Sequence, residues 1–376
     1  MKIVVSPDSF KGSLTATEAA QEIAASIREI DASIETVLLP VADGGEGTLE
    51  SLLIATNGEK IVIDVQNPIG RLIQVEYGVL GDGETCVIEM AKASGLMLLK
   101  EHEKNPRIAS TFGTGELIRH ALDKGFRKFV VGIGGSATND GGTGMLRALG
   151  MKFLDIVSEE IAQGAESLHA LHEIDATNFD KRIADAHFII ACDVDNPFVG
   201  PNGATAIFGP QKGVTPELVE SLDQNLDNLA NKIKAITGIS LHEQAGAGAA
   251  GGLGGAFLAF FPTKLKPGIE VIMEAINFHQ HIEKADYIIT GEGKSDFQTL
   301  SGKAPIGIAK AAKGQGIPVI LLSGFIEPES IPSLSSYFHE LASVAEGNVT
   351  QEESMKNAAY HLRTRTKEVM RKVLKI

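Results

Sequence analysis

Glycine, acidic residues and hydroxyl residues come together directly after several predicted strands. Four such turns lie at residues 6–13, 42–48, 134–142 and 291–296, and a fifth with less glycine lies at 192–196. In an open α/β sheet, ligands bind beyond the carboxyl ends of the strands, where glycine lets the backbone approach a phosphate. Carboxylates would repel a bare phosphate, so glycine combined with Asp and Glu indicates a phosphate complexed with Mg²⁺. Tight turns alone explain any one of these segments, but their number favours a shared site.

A lysine, Lys303, stands just before a predicted helix. Pro305 fits the first turn of that helix, which ends before Gly314. A lysine at the positive end of a helix dipole is unfavourable unless an anion binds there. We therefore predict that Lys303 binds a phosphate or a carboxylate.

A Gly/Ala-rich stretch occupies residues 245–255. Its glycines would let the backbone cradle phosphates, or would let it pack closely beside Phe257, Phe260 and Phe261. The sequence leaves both interpretations open.

The phosphate-binding motifs with the best-defined mechanics are absent. The chain has no G-x-x-x-x-G-K-[ST] sequence, no G-x-G-x-x-G after its first strand, and no H-R-D and D-F-G pair. Its chemistry is therefore not that of a P-loop enzyme or of a protein kinase.

The elements that position these turns alternate between strands and helices. Apolar runs predict strands at Lys2–Ser6, Glu35–Leu39, Lys128–Ile133, His187–Cys192, Asp286–Thr290 and Pro318–Leu322. Helices are predicted at Leu14–Ile30, between Thr215 and Gly238, at Pro305–Lys313 and from Thr350 onward. Thr15 and Glu18 form a capping box for the first helix. The alternation predicts an α/β protein with buried parallel strands.

The region between residues 60 and 90 has a different pattern. Ile61–Val65, Leu72–Leu80 and Thr85–Met90 are three successive predicted strands without helices, which indicates an antiparallel or mixed sheet and a second lobe. The strand–helix pattern returns at both ends of the chain. We therefore predict a discontinuous domain of residues 1–60 and 281–376, with an α/β domain of residues 61–280 inserted into it.

The composition restricts the partners of the protein. The 376 residues include 43% hydrophobic and 22% charged residues, and the net charge is -14. This charge argues against nucleic acid and anionic membranes as partners, since both bind basic patches. The chain has only two cysteines, Cys86 and Cys192, and they lie too far apart in sequence to indicate a disulfide framework or a zinc site. No signal peptide or long apolar stretch is evident, so a cytoplasmic location is predicted.

The glycine-rich turns together resemble those of the bacterial glycerate kinase family, the two-domain type unrelated to P-loop kinases. The segments that carry the resemblance read SPDSFKG from residue 6, ADGGEG from 42, GGSATNDGG from 134, DVDNP from 193, and GEGKSD from 291 with SGK from 301. They extend over essentially the whole chain. The resemblance implies ATP-dependent phosphorylation of (R)-glycerate to 2- or 3-phosphoglycerate. It also implies a flavodoxin-like parallel-sheet lobe with a second, mixed α/β lobe inserted.

Phosphoryl transfer needs a metal ion to neutralise phosphate charge and an acid to orient the attacking hydroxyl. We predict Asp43, Glu46 and Glu292 as Mg²⁺ ligands, with Asp193 as an alternative ligand. The role of catalytic base is assigned to Asp296 or Asp193.

The remaining assignments concern ATP and glycerate. Lys303 and the turn at residues 134–142 are predicted to contact the phosphates of ATP. The residues of the turn that we assign to this contact are Gly134, Gly135, Ser136, Thr138 and Asn139. Lys11 is predicted to bind the carboxylate of glycerate, together with Asp8 and Ser9.

Other functions remain compatible with parts of the pattern. A kinase for a related small hydroxy acid would use the same residue types. A nicotinamide-dependent oxidoreductase would also use glycine-rich turns, although it would not need acids in five of them. A two-lobed solute-binding protein would suit the architecture, but it would need an export signal. The sequence also leaves open the oligomeric state and which hydroxyl of glycerate is phosphorylated.

Overall fold

The computed structural model describes residues 1–42, 47–347 and 349–375. Its strands are β1 (Lys2–Val5), β2 (Glu35–Leu38), β3 (Glu59–Gln66), β4 (Leu72–Val79), β5 (Thr85–Glu89), β6 (Lys128–Gly132), β7 (Lys152–Leu154), β8 (Glu173–Asp175), β9 (His187–Ala191), β10 (Thr263–Lys266), β11 (Tyr287–Ser295), β12 (Val319–Ile326) and β13 (Glu340–Ser343). The strands predicted from apolar runs are all present, with carboxyl ends that differ from the predicted ones by one to five residues.

Helices separate many of these strands. They are α1 (Ala16–Ile30), α2 (Thr48–Thr56), α3 (Ala91–Ser94), α4 (Phe112–Asp123), α5 (Thr143–Ala148), α6 (Ala204–Phe208), α7 (Pro216–Thr237), α8 (Leu253–Phe260), α9 (Gly268–Ala275), α10 (Phe278–His281), α11 (Ala304–Lys313), α12 (Ile331–Leu334), α13 (Gln351–Lys356) and α14 (Ala358–Leu374). Short 3-10 turns include Pro210–Lys212 and Thr299–Ser301. In the described part of the chain, no helix is both long and apolar enough to cross a membrane.

The helix ends follow the local signals in the sequence. Thr15 and Glu18 form the predicted capping box of α1, each side chain bonding to the backbone N–H of the other. The helix α7 ends at Gly238, which adopts a left-handed conformation with φ 77° that costs glycine little. These boundaries were predictable because the bonds that make them join residues close in sequence.

Contacts divide the chain into two compact units. Unit 1 comprises Met1–Asp43, Glu50–Thr56 and Pro267–Ile376, and unit 2 comprises Gly44–Leu49 and Asn57–Lys266. Each unit contains its own principal sheet.

The sheet of unit 1 is parallel, with the strand order β13-β12-β11-β1-β2. Counted along this unit alone, the order is 2-1-3-4-5, which is that of flavodoxin-like folds. Alternate residues such as Ile3 and Val5 of β1 lie in one core with Ile23 of α1 and Val369 of α14. The predicted flavodoxin-like sheet is therefore confirmed. Its switch point, where ligands bind in such folds, lies between β1 and β11.

The sheet of unit 2 is mixed, in the order β10-β9-β6-β5-β4-β3. The strands β10, β9, β6 and β5 are parallel, whereas β3 and β4 pair antiparallel. Phenylalanines form much of the core, and the rings of Phe129 and Phe188 stack at 4.5 Å between centroids. The mixed α/β character predicted for the second lobe is confirmed.

The strand β11 corrects one expectation. Residues 291–296 were expected to form a turn, but β11 continues through Ser295, and Glu292 pairs with Ser323 of β12. Gly291 and Gly293 disguise the strand in the sequence because glycine has a low strand propensity. Pairing with β12 supplies the hydrogen bonds that keep this segment extended.

Candidate functional site

In unit 1, the loop after β1 lies against the end of β11, at the switch point of the sheet. The backbone N–H of Asp8 donates to the carbonyl of Gly291 at 2.8 Å, and the Thr290 hydroxyl donates to the carbonyl of Ser6 at 2.8 Å. A Cβ on Gly293 would lie 2.9 Å from the backbone nitrogen of Lys11. The glycines of β11 therefore allow the loop and the strand to meet.

The three predicted glycerate-binding residues belong to this loop. Asp8 and Ser9 are half-buried, and Lys11 is exposed. The backbone N–H of Ser9 donates to the Asp8 carboxylate at 2.6 Å. The loop thus brings a carboxylate, a hydroxyl and an ammonium group to the carboxyl end of β1.

Glu292 is a buried carboxylate at the same edge, only 5% exposed. Its Oε1 accepts hydrogen bonds from the hydroxyls of Ser295 at 2.8 Å and Thr299 at 2.7 Å. Burial raises the pKa of Glu292, although these hydroxyls and the ammonium of Lys303 work in the opposite direction. Sequence reasoning did not single out Ser295 or Thr299 as supports for this carboxylate.

Lys303 lies beside two carboxylates. Its Nζ is 3.8 Å from Oε2 of Glu292 and 3.9 Å from Oδ1 of Asp296. Lys303 also occupies the N-cap position of α11, with Pro305 in the first turn as predicted. Its ammonium therefore lies near the positive end of the helix dipole, and neither carboxylate is within ordinary hydrogen-bond distance.

Asp296 is held in a network of charges. Its Oδ1 accepts the backbone N–H of Gln298 at 2.9 Å, and its Oδ2 lies 3.4 Å from the ammonium of Lys294. Burial acts to raise the pKa of Asp296, but the Gln298 bond and the charges of Lys303 and Lys294 outweigh it and lower the pKa. Asp296, Glu292 and Lys303 thus form one carboxylate–lysine cluster in unit 1.

In unit 2, the segment 134–142, here called the glycine loop, connects β6 with α5. Gly141 and Gly142 have φ angles of 62° and 77°, in the left-handed region. A Cβ on Gly141 would lie 2.3 Å from the Leu229 side chain, and one on Gly142 would lie 2.5 Å from Ala256. These two positions therefore require glycine for conformation and for space.

Asp140 anchors the glycine loop from inside. Its Oδ2 accepts the backbone N–H and the hydroxyl of Thr111, both at 2.9 Å, and the N–H of Gly144 at 3.1 Å. Its Oδ1 accepts the N–H of Gly142 at 3.1 Å. Burial raises the pKa of Asp140, and these donors oppose the rise. These hydrogen bonds give Asp140 a structural role, which explains why an acidic residue lies within a loop that was expected to contact phosphate.

Lys212 is a further residue at the glycine loop that sequence reasoning missed. It is 1% exposed, and its ammonium donates to Ser136 Oγ at 2.7 Å and to the Thr138 carbonyl at 2.6 Å. Burial lowers the pKa of Lys212 to about 7. No local motif marks it, since it is more than 70 residues from its partners.

The other predicted residues are distributed as follows. Asp193 is exposed in unit 2, after β9. Asp43 and Glu46 lie outside the described residues. Within residues 1–42, 47–347 and 349–375, no group of three or more His, Cys, Asp and Glu side chains has the arrangement of a metal site.

The Gly/Ala stretch is a packing element. A Cβ on Gly251 would lie 2.0 Å from the carbonyl of Thr138, and one on Gly248 would lie 2.1 Å from the carbonyl of Pro197. Gly251 also accepts a hydrogen bond from the backbone N–H of Gly141 at 2.9 Å. Of the two interpretations left open, close packing against the glycine loop and its surroundings accounts for these glycines.

Comparisons with known proteins identify the family of the chain. The model of the glycerate kinase family matches residues 3–374. A glycerate kinase of Bacillus subtilis (strain 168) is 45% identical over 98% of this chain and 97% of its own length. A glycerate 2-kinase of Escherichia coli (strain K12) is 47% identical over 86% of this chain and 85% of its own length.

A solved structure agrees over the same range. The crystal structure of a Salmonella typhimurium LT2 protein, provisionally named glycerate kinase 2, superposes with a TM-score of 0.90 at 42% identity and covers 100% of this chain and 98% of its own. The two sequence relatives cover 86% and 98% of this chain, and the solved structure covers all of it. The chain therefore belongs to the glycerate kinase family and is, by that membership, a kinase.

Proposed function

We propose that the protein transfers the terminal phosphoryl group of ATP to the 2-hydroxyl of (R)-glycerate, with Mg²⁺, giving 2-phosphoglycerate and ADP. The observation that carries the proposal is the cluster of Asp296, Glu292 and Lys303 at the switch point of unit 1. The choice of the 2-hydroxyl follows the name of the Escherichia coli relative, glycerate 2-kinase. We propose a cytoplasmic reaction because ATP is its substrate.

The cluster suits phosphoryl transfer for electrostatic reasons. Lys303 lies between two carboxylates at 3.8 and 3.9 Å, so its three N–H donors remain able to turn toward a phosphate oxygen. The N-terminus of α11 adds a positive dipole end. Asp296, with its lowered pKa, stays ionised and can accept a hydrogen bond from the substrate hydroxyl, which orients that hydroxyl for attack.

The carboxylates also fit the requirements of Mg²⁺. In nucleotide sites, Mg²⁺ is held by one or two carboxylates together with phosphates and water, so a protein-only cage is unnecessary. Glu292 has one oxygen bonded by two hydroxyls, and its Oε2 points toward Lys303 at 3.8 Å. We assign Glu292 as a ligand of the ion, and Asp43 and Glu46 remain the other proposed ligands. The bound ion would neutralise the phosphate charge that develops during transfer.

The remaining roles are assigned by residue chemistry. We propose that the glycine loop contacts the phosphates of ATP through backbone N–H groups and the side chains of Ser136, Thr138 and Asn139. We propose that Lys11 pairs with the carboxylate of glycerate, assisted by Asp8 and Ser9. Asp193, exposed after β9, is the alternative base and the alternative metal ligand.

The test is a coupled assay of ADP formation with (R)-glycerate. We expect ADP release that depends on Mg²⁺ and stops with excess EDTA, with restoration on adding Mg²⁺. Phosphorus NMR of the product should show phosphate on the secondary carbon. A background rate with glycerate and related hydroxy acids would refute the kinase proposal, and a product phosphorylated at the primary carbon would refute only the position. A fluorescence titration with NADH serves as the control for a nicotinamide enzyme, and we expect no binding.

A further inference from the structure

Lys212 places a charged group inside unit 2 against the glycine loop. It ends the 3-10 turn Pro210–Lys212 and is followed by Gly213 with φ 98°. Its ammonium donates to Ser136 Oγ at 2.7 Å and to the Thr138 carbonyl at 2.6 Å, and the side chain is 1% exposed. The lysine thus holds two residues of the loop at once.

The charge of Lys212 has no ion-pair partner among the described residues. The charge of Asp140 favours the protonated lysine, but the Asp140 carboxylate is itself bonded by Thr111, Gly142 and Gly144. An unpaired buried charge costs several kcal/mol even after local relaxation. Two neutral hydrogen-bond donors would hold the loop as well at a lower cost. The positive charge therefore has a purpose beyond stability.

The glycine loop also has bonding groups left over. The Thr138 hydroxyl and Asn139 Oδ1 are buried and have no hydrogen-bond partner within the part of the chain that the structure describes. The ammonium of Lys212 has three hydrogens, of which two are used. Buried polar groups are nearly always paired in proteins, so groups of this kind indicate a site that binds something.

We propose that Lys212 is a positioning residue of a phosphate site in unit 2, where it fixes the glycine loop and supplies the positive charge that attracts the phosphate oxygens of the nucleotide. The proposal rests on the proposed function and deepens it, since it names the cation for the glycine loop. Lys212 acts through Ser136 and Thr138, which it bonds.

The first test compares Lys212→Gln with Lys234→Gln. The glutamine keeps hydrogen-bond donors at position 212 but removes the charge, and exposed Lys234 on α7 provides a matched loss of charge in the same unit. One charge about 10 Å from an anion changes its affinity about tenfold at an effective dielectric constant of about 20. We expect Lys212→Gln to bind ADP about tenfold more weakly in calorimetric titration, Lys234→Gln to bind normally, and Lys212→Arg to restore part of the loss.

The second test uses sulfate, whose charge does not change between neutral and mildly alkaline pH. Since the lysine is protonated only below its lowered pKa of about 7, sulfate affinity of the wild type should fall about tenfold as the pH rises from about 6 to about 8.5. Asp140 of the glycine loop is the titratable group whose charge acts on Lys212. The backbone of Lys104 lies beside Gly213, but the Lys104 ammonium pairs with Glu101, and α6 contributes no titratable group. The decrease should be smaller in Lys212→Gln, which lacks the titrating ammonium.

Two results would overturn the inference. One is equal sulfate affinity and an equal pH profile in the wild type and Lys212→Gln, which would leave the lysine a purely structural residue. The other is no sulfate binding by the wild type at pH 6. The sulfate measurement on the wild type needs no variant, so the absence of binding at pH 6 would still overturn the inference if Lys212→Gln does not fold. It also needs no turnover, so an inactive wild type in the ADP assay would reject the proposed function alone.

Discussion

Asp296→Asn tests the central role in the proposed mechanism. Asparagine preserves the shape of the side chain, and its carbonyl oxygen can still accept the backbone N–H of Gln298, now at 2.9 Å. What is lost is the negative charge, together with ion pairs to Lys294 at 3.4 Å and Lys303 at 3.9 Å. Pairs of this length near the surface contribute about 0–1 kcal/mol. We therefore expect a folded variant with nearly unchanged thermal stability.

The kinetic effect should be much larger than the effect on stability. A carboxylate positioned on a reacting hydroxyl contributes about 10²–10⁴-fold to the rate. Asp296→Asn should lower kcat by that factor while the KM for ATP changes little, because Asp296 is not assigned to the phosphates. A fall of kcat and kcat/KM together indicates an interaction made in the transition state.

Glu327→Gln is the matched control. Glu327 lies 3.6 Å from the same lysine, Lys294, so its neutralisation changes the local charge by the same amount. We expect the kcat of Glu327→Gln to stay within about threefold of the wild type, because the substitution removes only one exposed ion pair. The coupled ADP assay measures both variants, and thermal melting is recorded alongside. A folded Asp296→Asn enzyme with near-wild-type kcat would refute the role of Asp296 and transfer it to Asp193.

Two further predictions concern the lysines. Lys303→Ala removes a charge-assisted contact worth about 1.5–3 kcal/mol, so kcat/KM for ATP should fall about ten- to a hundredfold. Lys310→Ala, on the exposed side of the same helix, should leave kcat/KM unchanged. Equal kinetics in the two variants would leave Lys303 without a phosphate role. Lys212 lowers stability at neutral pH, because its pKa falls from 10.5 to about 7 on folding and the unfolded chain therefore binds more protons above pH 7. At about 1.4 kcal/mol per pH unit, the unfolding free energy of the wild type should rise by about 3 kcal/mol more than that of Lys212→Met between pH 7 and about pH 9.5. Urea denaturation measures this, and parallel pH dependences of the two proteins would contradict it.

The sequence predicted the parts of the fold that local interactions specify. The capping box of Thr15 and Glu18 and the end of α7 at Gly238 depend on residues within one turn of each other. The apolar runs of β1, β6 and β9 are short and nearly continuous, as buried parallel strands are. The glycine-rich segments also carried the resemblance to the family, because they are short stretches that can be read directly from the sequence.

Some features of the candidate site depended on contacts between distant segments. Residues 291–295 have the composition of a turn, yet β12 holds them as a strand, which places Glu292 where the hydroxyls of Ser295 and Thr299 reach it. In the sequence, the Gly/Ala stretch suited a phosphate cradle as well as it suited close packing. The structure favours packing, because a Cβ on Gly251 would lie 2.0 Å from the carbonyl of Thr138. Local composition could not decide either case, because the partner strand or loop lies elsewhere in the sequence.

By itself, the sequence determined the α/β class, the family resemblance, nine of the thirteen described strands and most of the turns that carry its polar residues. Only the tertiary structure decided which of these residues meet, such as Asp296 with Lys303 and Glu292. It also revealed Lys212, an unremarkable lysine in the sequence that folding buries against Ser136 and Thr138. The physical reason is that secondary structure follows from neighbours along the chain, whereas burial, and with it the pKa and the bonding of a charged group, follows from residues that folding brings together in space.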